Sequence, residues 1–110
     1  MNNLVETDGL RRQIYLSSAA TLTIQDVLVM LDASGTFTVS LPKLAQAVGM
    51  ILSLTCVGTT GGTITIDDNE TASCILVAGS AVGSFTFDAT AEWSSLFCDG
   101  YNWYEIDGGH

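Results

Sequence analysis

The chain has 110 residues, of which 47% are hydrophobic and only 14% charged, and its formal net charge is −9. Its cations are Arg11, Arg12 and Lys43, so no basic face exists for phosphate, and nucleic acid and anionic membrane are excluded as partners. A lone domain of this length buries only about 65% of the surface its unfolded chain exposes; so apolar a composition therefore predicts surface patches that copies of the chain shield from water.

Met1 to Asp8 has neither the positively charged start nor the apolar run of a signal peptide. Residues 1–16 form a weakly periodic N-terminal arm that ends in Arg11-Arg12-Gln13-Ile14-Tyr15-Leu16, and residues 17–110 form the domain proper. Thr21 to Ile24 alternates with the period of a half-buried strand. Val27 to Leu31 is the longest apolar run, too short to span a membrane and consistent with a strand covered on both faces. After the Ser34-Gly35 turn, Phe37, Val39 and Leu41 point to one side, and Pro42, which has no N–H for a ladder, stops the strand.

Lys43 to Val48 supports a helical turn or two, ended by Gly49. Strands are expected over 50–57 and 63–66, with a polar, solvated turn at Asp67-Asp68-Asn69-Glu70. Cys74 to Ala78 is apolar, Gly79 to Ser84 reads as a Gly/Ser/Ala loop, and Phe85-Thr86-Phe87 begins the next strand. Glu92 to Ile106 then reads as strand, Asp99-Gly100 turn and aromatic-rich strand. Eight or nine short antiparallel strands with regular turn signals indicate an all-β fold, a compact β-sandwich or barrel.

Chemistry-bearing candidates are sparse. Cys56, Cys74 and Cys98 are odd in number, lie in apolar strands and lack Cys-x-x-Cys spacing, so buried free thiols are expected. His110 ends the chain after two glycines, a mobile setting unsuited to a general base. Gly79-Ser80-Ala81-Val82-Gly83 is not a nucleophile elbow, and the acidic run 67–70 lacks calcium-loop spacing. The reading is a protein that is not an enzyme and needs no cofactor or metal. Trp93, Tyr101, Trp103 and Tyr104 offer a sugar-stacking platform, but Phe97, Trp103 and Tyr104 fit core or subunit-interface packing better.

The final hairpin carries a resemblance. Asp99, Gly100, Asn102, Trp103, Tyr104 and Ile106 resemble the end of small all-β modules in tailed-phage virion proteins. Preceding them in the order usual for those modules are the apolar strand ending in Asp32 with Gly35, the alternating strand running into Pro42, Gly49 with an apolar strand, and Gly61-Gly62-Thr63-Ile64-Thr65-Ile66. The resemblance covers roughly residues 20 to 106. It implies a homotrimer and a place among capsid decoration (cement) proteins, head fibres or tail-fibre tips.

A chain that starts with Met and reads as a whole small protein favours decoration. On that expectation it binds the major capsid protein on the capsid exterior after assembly in the host cytoplasm, and stabilises the shell. The docking arm would comprise Leu10, Arg11, Arg12, Ile14, Tyr15 and Leu16, suited to folding on a partner and placing guanidinium groups on carboxylates. The alternative is a receptor- or glycan-binding tip module of a fibre.

Overall fold

Period-two alternation and β-branched residues put about half of the described residues in strands and almost none in helix. The computed structural model describes residues 12–58 and 61–110. Its strands are β1 (Arg12–Leu16), β2 (Ala20–Thr21), β3 (Asp26–Asp32), β4 (Phe37–Ser40), β5 (Ile51–Val57), β6 (Ile64–Asp67), β7 (Ile75–Val77), β8 (Ser80–Val82), β9 (Ser84–Phe87), β10 (Trp93–Cys98) and β11 (Trp103–Gly109). The expected helical turn after Pro42 is a single 3₁₀ turn, Leu44–Gln46, and Gly49 follows it at φ +84.

Two mixed sheets result. One has seven strands in the order β1-β3-β5-β10-β11-β7-β8, the other four in the order β9-β6-β4-β2. From β1 to β6 successive strands alternate between the sheets, so each strand meets its in-sheet neighbour only after the chain has crossed to the other sheet and returned. Such a path lays neighbours down in the same direction. The pairings β1/β3, β3/β5, β2/β4, β4/β6 and β7/β11 are parallel. The pairings β5/β10, β6/β9, β7/β8 and β10/β11 are antiparallel. The expected all-antiparallel arrangement is therefore corrected: the first half of the chain is a stack of parallel coils, closed by a second half that pairs antiparallel except at β7/β11.

A repeated stretch underlies the stack. Gly35-Thr36-Phe37-Thr38-Val39-Ser40, Gly62-Thr63-Ile64-Thr65-Ile66-Asp67 and Gly83-Ser84-Phe85-Thr86-Phe87-Asp88 share a small residue, then apolar, Thr, apolar. They form the adjacent strands β4, β6 and β9, with Phe37 opposite Ile64 and Thr65 opposite both Thr38 and Thr86. The glycines set the coil spacing. Gly62 N–H donates to Ala33 O at 2.9 Å, and a Cβ on Gly62 would lie 1.9 Å from the Gly35 carbonyl oxygen.

The core lies between the sheets. Val29, Leu31, Leu52, Leu54, Leu96 and Trp103 from the seven-stranded sheet meet Val39, Ile64, Ile66, Phe85 and Phe87 from the other, all buried in one cluster. Each such side chain contributes about 1.5–3 kcal/mol of burial.

Local departures from the sequence reading have physical causes. Residues 12–16, expected in a separate arm, are the edge strand of the larger sheet, and Ile14 and Leu16 pack against the core. The strand expected over 21–24 pairs at Ala20–Thr21 and through the Leu22 N–H, which donates to Ser40 O at 2.8 Å; Leu22 is buried but Ile24 is exposed. Ala78 (φ +51) and Gly79 (φ +83) make a two-residue turn of the kind that suits tight hairpins, joining β7 to β8 where a loop was expected.

Candidate interaction surface

The outward side chains of the larger sheet form the surface of interest. Alternation buries Val29, Leu31, Leu52, Leu54 and Leu96, which turns their neighbours outward. Register then aligns these into rows: Gln13, Leu28, Ser53 and Ser95; Tyr15, Met30, Thr55 and Trp93; Ile51, Phe97 and Tyr104. No charged side chain occurs in these rows, and Asp32 and Asp107 mark their borders. Ile51 is 56% exposed and Leu28 and Trp93 are each 36% exposed. Beside Ile51 the face continues into an open groove of about 580 Å³ lined by Ile24, Val27, Ala47, Val48 and Met50.

The opposite exterior is different in kind. On the four-stranded sheet the outward row is Thr38, Thr65 and Thr86, next to Ser40, Asp67 and Ser84. Hydroxyls and a carboxylate there satisfy water directly. Two exteriors of different character on one small molecule follow from the strand patterns: apolar residues on both sides in β3, with Ile51 and Val57 outward beside Ser53 and Thr55 in β5, against apolar/Thr alternation in β4, β6 and β9.

The aromatics expected at an interface separate. Trp103 is wholly buried and belongs to the core, Phe97 and Tyr104 lie half-buried on the outward face, and Tyr101, at the tip of the terminal hairpin, is 80% exposed. Tyr104 Oη donates to Asp99 Oδ2 at 2.8 Å. Asp99 Oδ1 accepts the N–H groups of Asn102 and Tyr101 at 2.9 and 2.8 Å. These bonds, from Asn102, Tyr101 and Tyr104 in turn, hold the Asp99 carboxyl below its ordinary pKa.

Of the expected docking arm, Leu10 and Arg11 lie outside the described residues. Arg12 opens β1, Ile14 and Leu16 are half-buried against the core, and Tyr15 is on the outward face, its hydroxyl donating to Asp32 Oδ2 at 2.9 Å. That bond raises the Tyr15 pKa. Asp32 is lowered, first by the Ser34 hydroxyl and backbone N–H and then by Tyr15.

The remaining candidates resolve into structural roles. Asp68, expected in a solvated turn, is 1% exposed; its carboxylate accepts the N–H groups of Glu70 and Cys74 at 3.0 and 2.9 Å. Glu70 Oε2 accepts Leu44 N–H at 2.9 Å, which ties the 3₁₀ turn to this corner. Cys56, Cys74 and Cys98 are free thiols, and burial, then the Glu92 and Asp88 carboxylates, push Cys56 up to about 11. His110, expected to be mobile, instead stacks on Phe85 at 4.6 Å and meets Phe87 edge-on at 5.5 Å. Its Nε2 lies 2.6 Å from Glu105 Oε2, which also accepts the Ser94 hydroxyl at 2.5 Å. Glu105 thus sits between Ser94 and His110, whereas base activation of a serine requires the histidine beside the hydroxyl.

Sequence reasoning missed the outward face because alternation shows which residues share a side of a strand without showing which side is covered. The repeat at 35–40, 62–67 and 83–88 was the available signal for the coil stack. Comparison with protein-family models and with curated proteins returns no match to this chain.

Proposed function

We propose that this chain is a structural, self-associating module of a tailed-phage virion, a decoration protein that binds the outer surface of the capsid and stabilises it as a homotrimer with a sandwich-like protomer. The observation that carries the reading is the uncharged apolar face of the seven-stranded sheet on a molecule of net charge −9. Acidic copies repel at long range, so their contacts must come from faces that lack charge and bury apolar area. The virion assignment rests on the resemblance of residues 20 to 106, and the proposed capsid contact is made by the residues before β1. Mechanically, each assembly would lie across neighbouring capsid subunits and add contact area that resists outward pressure.

Co-sedimentation of the purified protein with capsids stripped of it tests this reading: saturable binding is expected, and absence of binding at micromolar protein overturns it. A fibre module that binds glycans is the second reading, favoured by Tyr101 standing 80% exposed at a hairpin tip. Retention on a glycan array, lost in Tyr101→Ala, would support that reading instead.

A further inference from the structure

We infer that a second copy of this chain covers the outward face of the seven-stranded sheet, with Leu28, Ile51 and Trp93 at the centre of the contact. The inference rests on the self-association reading above and assigns it a surface. Strand β3 carries apolar residues on both sides, Val29 and Leu31 inward and Leu28 and Met30 outward, the pattern of a strand covered on both faces. Here one face packs on the core and the other is open.

Charge selects the occupant. The three outward rows described above hold no charged side chain, with Asp32 and Asp107 only at their borders, while the row Thr38–Thr65–Thr86 is hydroxylic, lies beside Asp67 and tolerates water. A partner that recognised this protein by charge would be basic and would dock on its carboxylates; this face offers them only at its edges, where Asp32 and Asp99 already accept the Tyr15 and Tyr104 hydroxyls. An equally acidic molecule, such as another copy, meets little repulsion across these rows and buries apolar area there. The area is also of the right order. Four strands about 4.8 Å apart and about six residues long at about 3.3 Å each give roughly 400 Å² of flat projection. The groove beside Ile51, with Ile24 and Val48, extends this toward the ~800 Å² per partner of a standard interface.

Sedimentation velocity at micromolar concentration on the wild type, Leu28→Asp, Ile51→Glu and Thr38→Glu tests the assignment. All three substituted side chains are solvent-facing, so circular dichroism and melting should report an intact fold in each. The expected result is an oligomeric wild type, an oligomeric Thr38→Glu, and Leu28→Asp and Ile51→Glu with dissociation constants raised at least about tenfold. An oligomeric wild type whose Leu28→Asp and Ile51→Glu forms stay equally associated overturns this face while leaving self-association standing. A monomeric wild type overturns both, and loss of capsid co-sedimentation in Ile51→Glu from a monomeric wild type would give the face to the capsid protein instead of a copy.

Discussion

Gly62 and Gly79 show two different demands on glycine within one chain. Gly79 has φ +83, and a Cβ there would have no neighbour within 4 Å, so a side chain at this position meets only backbone strain of about 1–3 kcal/mol. Gly62 instead faces the Gly35 carbonyl, where a Cβ would sit 1.9 Å from the oxygen. Backbone on a neighbouring coil cannot rotate away as a side-chain tip can, so sterics outweigh strain. Gly62→Ala is expected to cost about 2–4 kcal/mol, read as a melting temperature at least about 10 °C lower, and an unchanged melting temperature would show that the coils do not stack through this contact.

Asp99 and Asp32 carry a pH dependence whose sign is fixed by their bonds. Both carboxyls are held below the ordinary value of 3.8 in the folded protein, so the unfolded chain binds more protons through that range and stability rises with pH. The contribution is fully present above the ordinary aspartate range and is lost as pH falls through the lowered folded values. Urea titrations across the acid range should show this loss, and Asp99→Asn should flatten part of the slope; an unaltered slope would mean that Asp99 contributes nothing to it.

At the scale of elements, local signals were legible and distant ones were not. The terminal hairpin could be read because Asp99-Gly100 specifies its own turn: Gly100 has φ +95, and Asp99 accepts the next two available N–H groups. Parallel pairing was hidden because Leu28 meets Ser53 and Phe37 meets Ile64 across a full coil of intervening chain, and nothing within either strand encodes direction. The boundary after residue 16 had a similar cause, since weak periodicity in 12–16 concealed an edge strand held by backbone pairing to β3. Deleting residues 1–16 is therefore expected to remove the Ile14 and Leu16 packing and expose the β3 edge, lowering the melting temperature by several degrees. A truncated protein that melts with the full chain would return β1 to the status of a detachable arm.

For the molecule as a whole, the composition foretold uncovered apolar surface but could not locate it. Val27 to Leu31 read as covered on both faces; the fold covers Val29 and Leu31 and leaves Leu28 outward. The candidate arm and the candidate aromatics were likewise divided by burial, Trp103 going to the core and Phe97, Tyr104 and Tyr15 to the outer face. What sequence could not supply was the second sheet, which decides the inside of every strand. An acidic molecule with one uncharged face has a specific response to ionic strength: salt screens repulsion between copies and leaves burial of the apolar face in place.

Light scattering coupled to size exclusion, run on the wild-type protein at low and high salt, tests self-association through this face most directly. The expected mass is a multiple of the 11.6 kDa chain, in an assembly that holds or tightens as salt rises. A single 11.6 kDa species at micromolar concentration in both conditions would contradict it.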